Sequence, residues 1–158
     1  MRETSSVARL LVVHHTPSPA MQELLEAALA GANDPDANGG AVEVVVRPAL
    51  TAGAADALEA DGYLLATPAN IGYISGALKH FFDGIYYPCL ETTRRRPFGA
   101  WVHGNLDQAG AVRAIEAITT GLAWQPVQPV LTLTGMPTKE NRQAVHDLAA
   151  TVAATLAG

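Results

Sequence analysis

Along the chain, apolar positions alternate between two spacings. Residues 8–13 (ARLLVV) form an unbroken apolar run, and residues 19–32 then place Leu24, Leu25, Ala28 and Leu29 one helical turn apart, which predicts a strand followed by a helix. Residues 33–40 (NDPDANGG) read as a turn-rich connector, residues 41–47 (AVEVVVR) as a β-branched strand and residues 54–60 as a short helix. A third strand over 62–67 leads to a helix over 75–86, and a fourth over 98–103 to a helix over 109–122. A fifth strand over 127–134 precedes a closing helix over 139–156, with Val145, Leu148, Val152 and Leu156 on one stripe. The pattern is five βα units.

Strands that are apolar on both faces and alternate with helices imply a parallel sheet covered on both sides, because each parallel connection needs a crossover. The expected architecture is α/β: a three-layer, doubly wound, five-stranded parallel sheet. Neither a linker nor a repeat divides the chain, so residues 1–158 are expected to form a single domain, with a loose segment over 1–6. In such sheets ligands lie beyond the carboxyl ends of the strands, where the strand order reverses. Three loops therefore matter: residues 14–19 (HHTPSP), 67–75 (TPANIGYIS) and 103–108 (HGNLDQ).

Composition narrows the setting. With 158 residues, 49% of them hydrophobic, the chain can bury a sizeable core. No run approaches the roughly 18 apolar residues of a membrane helix, and residues 10–13 are too short for a signal core, so a soluble, cytoplasmic protein with no membrane partner is expected. The formal charge of −5 argues against a nucleic-acid partner. Arg94, Arg95 and Arg96 form a basic run that reads as a solvated loop, or as a rim attracting an anionic ligand. The single cysteine, Cys89, has no internal disulfide partner and reads as packing or a surface thiol.

The first loop sets Thr16 and Ser18 directly before a helix. Ser18 suits an N-cap and Pro19 the first helical position, and a helix start with free N–H groups and nearby hydroxyls suits a phosphate, although capping alone also accounts for Ser-Pro. The loop has no G-x-G-x-x-G and no Walker lysine, which argues against dinucleotide and nucleoside-triphosphate sites. A phosphoacceptor receiver domain fails too, because His14-His15 and Thr67-Pro68 stand where it needs acidic residues. Adjacent histidines on a strand end point to opposite sides, so no metal site is assigned to His14 and His15. Trp101 and Trp124 read as core and His80 as surface, while Tyr73, Tyr86 and Tyr87 could cover a ligand or make a dimer contact.

The stretch TPANIGYISGALKHFFD, residues 67–83, resembles the loop and helix after strand three of the flavodoxin-like NAD(P)H-dependent FMN reductases, roughly S-P-x-Y-x-G-x-x-S-x-x-L-K-x-F-x-D. Pro68, Gly72, Ser75, Leu78, Lys79, Phe81 and Asp83 match without a gap; Thr67 replaces serine and Asn70 replaces the aromatic. The resemblance implies strand order 2-1-3-4-5 and an FMN site. Thr16, Ser18, Ala20 and Met21 would hold its phosphate, Pro68, Ala69, Asn70, Ile71 and Gly72 would lie along the flavin, and His103, Gly104, Asn105 and Gln108 would meet its pyrimidine side. It also implies NAD(P)H as co-substrate, a quinone, flavin or other small molecule as electron acceptor, and a homodimer or dimer of dimers through the helix over 75–86. The flavin carries the chemistry, so no catalytic side chain is nominated. Two other readings stay open: a flavodoxin-type electron carrier, and a flavodoxin-fold binding module that has lost FMN, for which Pro17, Pro19 and Asn70 speak.

Overall fold

A computed structural model describes residues 7–158; the loose segment expected over 1–6 lies outside them. The strands are β1 (Ala8–His14), β2 (Val42–Pro48), β3 (Gly62–Asn70), β4 (Tyr73–Ile74), β5 (Pro97–Gly104), β6 (Gln125–Pro126) and β7 (Leu131–Thr134). The helices are α1 (Pro19–Ala32), α2 (Pro35–Asn38), α3 (Ala54–Glu59), α4 (Gly76–Cys89), α5 (Ala109–Gly121) and α6 (Lys139–Ala157). The sheet order is β2-β1-β3-β5, with β6 and then β7 continuing along the outer side of β5. All pairings are parallel except β3 with β4. With β6 and β7 taken as one interrupted strand, this is the order 2-1-3-4-5.

The period of two along each central strand divides the core into two halves. Leu10 and Val12 of β1, Leu64 and Ala66 of β3 and Trp101 of β5 face α1 and α6. Leu11, Val13, Tyr63, Leu65, Ala100 and Val102 face the opposite layer, which holds Phe81, Phe82 and Ile85 of α4 and Ile115 of α5. Each fully buried large side chain of this kind stabilises the fold by roughly 1.5–3 kcal/mol relative to exposure. Trp101 and Trp124 are both core, as expected.

Four local features differ from the sequence reading. The fifth strand is broken: from Phe98 to Trp101, β5 advances three residues while its neighbour advances five, from Pro126 to Leu131. Pro126 and Pro129 carry no N–H to donate, so the ladder cannot run through them. In the connector after α1, Asp34 accepts from Asp36 N at 2.9 Å and Pro35 occupies the first helical position, so one helical turn forms there. Arg96 is not a solvated loop residue. Its guanidinium donates to Leu58 O at 2.9 Å and Ala60 O at 2.6 Å, with a longer contact to Ala57 O at 3.3 Å, and so caps the carboxyl end of α3. The fourth difference is at the end of β3, where the site lies. Cys89 is buried against this layer, and burial pushes its thiol pKa up.

Candidate functional site

The register of the central strands sets three loops side by side. His14 at the end of β1 pairs with Ala66, and Pro68 pairs with His103 at the end of β5. His15 N donates to Ala66 O at 3.0 Å, tying the first loop to β3.

The first loop is shaped by its capping residues. Ser18 is the N-cap of α1, and its Oγ accepts from Met21 N at 3.2 Å. Met21, expected beside the phosphate, lies under this cap. Its N–H is engaged by the cap and its side chain is fully buried, so a ligand meets neither while the cap holds. Thr16 Oγ1 lies 3.1 Å from His14 Nδ1, in hydrogen-bonding contact. The N–H groups of Thr16, Ser18 and Ala20 find no acceptor among the described residues, and the first turn of α1 carries no acidic side chain. These donors at the positive end of a helix dipole suit an anion. Burial, and then the neighbouring charge of His15, holds the His14 pKa below its ordinary value.

The second loop is a β-hairpin, not an open loop. β3 runs two residues past its last pairing with β5 and folds back, pairing Ala69 with Ile74 and Asn70 with Tyr73. The two-residue turn puts Ile71 at φ 50° and Gly72 at φ 73°, as a type I′ turn requires. Glycine adopts this backbone without cost; a β-branched residue does so under strain. Ile71 is also fully exposed. The base of the hairpin is closed by the buried Thr67, whose Oγ1 accepts from Ser75 N at 3.0 Å. Ser75 in turn caps α4 by accepting from Leu78 N, and Lys79 pairs with Asp83 at 2.6 Å. The tip rests on α5: a Cβ on Gly110 would overlap the Gly72 carbonyl oxygen, so only glycine lets the two backbones meet.

The third loop is tied to the last strand. His103, buried, donates from Nε2 to Gly135 O at 2.7 Å, which fixes the proton on that nitrogen because a carbonyl only accepts. The Gln108 amide nitrogen is spent within the fold. It donates to Leu133 O and Thr134 Oγ1, both at 3.0 Å, and the buried Oε1 has no partner. Gly104 lies beside Ala69 of the hairpin, while Asn105 is exposed between them and solvent.

The thirteen expected site residues thus fall into two sets. Thr16, Ser18, Ala20, Pro68, Ala69, Asn70, Ile71, Gly72, His103, Gly104 and Asn105 gather along the carboxyl edge of the sheet, whereas Met21 and Gln108 face inward as parts of the scaffold. Sequence reasoning named Ile71 and Tyr73 but missed Leu106 and Met136, which extend an apolar rim beyond this edge. Leu106 and Met136 are nearly fully exposed there, with Ile71 and the half-exposed Tyr73. The signal was available, since Leu106 and Met136 each follow a strand end and break a polar loop. No metal-binding group of three or more His, Cys, Asp or Glu side chains occurs among the described residues.

Solved structures with this architecture include a flavodoxin from the domain Archaea, superposing with a TM-score of 0.79 at 16% identity over 94% of this chain and 98% of that one. The fold is flavodoxin-like. A WrbA-like flavodoxin from Agrobacterium tumefaciens matches with a TM-score of 0.69 at 17% identity, covering 95% of each chain. The flavodiiron protein from Giardia intestinalis matches at 0.78 and 13% identity over 94% of this chain, which spans 37% of that protein. No family model matches the sequence, and no curated protein does. Among the described residues no helix is long and apolar enough to cross a membrane.

Proposed function

We propose that the carboxyl edge of this flavodoxin-like fold binds FMN and serves electron transfer, with NAD(P)H as electron donor and a small molecule as acceptor. One observation carries the reading. A helix start with N–H groups lacking acceptors, a rigid hairpin and an exposed apolar rim stand side by side, which matches a ligand that is anionic at one end and flat and apolar at the other.

The residues fit such a group. The N–H groups of Thr16, Ser18 and Ala20 form a donor set for a phosphate, beside the Thr16 hydroxyl that contacts His14 Nδ1. The hairpin residues Pro68, Ala69, Asn70, Ile71 and Gly72 offer backbone N–H and C=O groups to a polar ring edge, and Ile71, Tyr73, Leu106 and Met136 offer apolar cover. Bound flavin would supply the hydride and electron chemistry; the chain binds, orients and excludes water. Self-association through α4 belongs to the same proposal, and Tyr87, 80% exposed and edge-on to Tyr86, supports it. Pro17 and Pro19 remove two N–H groups from the first loop, and this favours a second reading, a flavodoxin-fold module without cofactor.

Fluorescence titration of the purified protein with FMN, FAD and riboflavin is the test. Saturable quenching by FMN, much weaker with riboflavin, is expected, followed by FMN-dependent oxidation of NAD(P)H. Absence of binding by all three flavins at high micromolar concentration would overturn the proposal in favour of the second reading.

A further inference from the structure

An apolar cleft of about 470 Å³ lies at the opposite end of the sheet from the three loops. It opens where the fifth strand is interrupted, between the bulged segment 127–130 and the carboxyl half of α5. Its size falls within the roughly 300–1,000 Å³ range of small-molecule sites.

The lining sets an aromatic and apolar wall against a wall of acceptors, with the Thr120 hydroxyl and the Gln128 amide also on it. Phe98 and Trp124, both almost fully buried, present aromatic surface, and Pro126, Pro129 and Val130 close one wall with apolar groups. Trp124 has little freedom: one face stacks on Tyr63 at 3.9 Å, and its indole N–H is given to Thr93 Oγ1 at 2.8 Å. Its polar atom is therefore engaged, leaving π surface. The opposite wall offers acceptors. Glu116 contributes a carboxylate, and Thr119 donates its hydroxyl proton to Ile115 O at 2.7 Å, so its oxygen has only lone pairs left to offer. The last turn of α5 carries no basic side chain to balance the negative end of the helix dipole. Among the described residues no Lys, Arg or His lines the cleft.

We infer that the cleft binds a small arylalkyl amine in its ammonium form, its ring against Phe98 and Trp124 and its cation toward Glu116 and the carboxyl end of α5. Packing of the ligand's ring against the aromatic floor adds attraction of its own. A neutral alcohol brings one donor and no charge where the ammonium brings three donors and a cation, and an anion is repelled. This site is separate from the flavin proposal and stands or falls without it.

The test uses ¹H–¹⁵N correlation spectra of the full chain, titrated with phenethylammonium, neutral 2-phenylethanol and anionic 3-phenylpropanoate. Phenethylammonium is expected to move the Trp124 indole N–H and Gln128 side-chain amide signals saturably, while the Trp101 indole signal stays in place. Because Glu116 is exposed, the amine is expected to bind about fivefold tighter than the alcohol, with the advantage shrinking as salt is added. Glu116→Gln should bring the amine to the level of the alcohol, and Thr120→Trp, which fills the cleft from an exposed position, should abolish the shifts of both. Equal affinity for amine and alcohol, an unchanged amine affinity in Glu116→Gln, or no movement of the Trp124 signal at about 10 mM amine would each overturn the inference.

Discussion

The two ends of the sheet are built on opposite terms. At the amino end, the buried polar groups packed around Tyr63 are used up within the fold. Arg96 caps α3, the Tyr63 hydroxyl donates to Ala57 O at 2.6 Å, and Trp124 joins the Tyr63 stack to Thr93, which itself donates to Cys89 O at 3.1 Å. Burial pushes the Tyr63 phenol up to about 12, as expected of a group held neutral in the core. At the carboxyl end, N–H groups lack acceptors, Ile71 sits in a backbone conformation that costs energy, and apolar side chains stand in water. The buried polar groups around Tyr63 are paired within the fold, whereas backbone donors at the carboxyl edge find no acceptor among the described residues.

Substitutions at each end should therefore separate the two properties. Trp124→Ala removes the stack and the Thr93 bond and should cost about 3–5 kcal/mol in urea denaturation. Its FMN affinity, measured while the variant is still folded, should change less than about twofold, a shift well under 1 kcal/mol; a larger change would show that the two ends are coupled. Gly110→Ala pushes α5 off the hairpin tip and should cost about 1–3 kcal/mol, here with a parallel loss of FMN affinity. Ile71→Asn should move in the other direction. Asn tolerates positive φ, so a gain of up to about 1 kcal/mol is expected, accompanied by weaker flavin binding if the exposed side chain covers the ligand.

The smallest effect is the pH dependence from His14. Its folded pKa lies below the ordinary value of 6.5, so above that pH both folded and unfolded chains hold it neutral and stability is unaffected. As the pH falls below about 6.5, the unfolded chain takes up the proton first, and stability declines until the folded pKa is passed. His14→Gln should flatten this part of a plot of urea midpoint against pH. An unchanged slope would mean that the His14 pKa is not depressed in the folded chain.

The alternation of strands and helices was legible because both faces of each central strand are covered, so apolar runs mark them directly. The resemblance over residues 67–83 proves in large part to be a folding signal. Thr67 closes the hairpin, Ser75 caps α4, Leu78 and Phe81 fill the core, and Lys79 pairs with Asp83. What remains for a ligand is the short span 68–72, where this chain also departs from the pattern at Asn70. The hairpin was hidden because isoleucine is a poor marker of a type I′ turn. Arg96 was misread because its acceptors lie more than thirty residues away in sequence. The break in the fifth strand was readable from Pro126 and Pro129, had missing donors been weighed against the apolar pattern.

That break also bears on how copies of the chain meet at high concentration. An open sheet has two edges, and a long, regular edge is a template on which a neighbour's strand can polymerise. Here one edge is interrupted by two prolines and a bulge. The other, β2, carries Glu43 and Arg47 paired to Arg9 and Asp56 and ends at Pro48. Neither edge invites strand addition, which protects a sheet with this many valines from growing into a fibre.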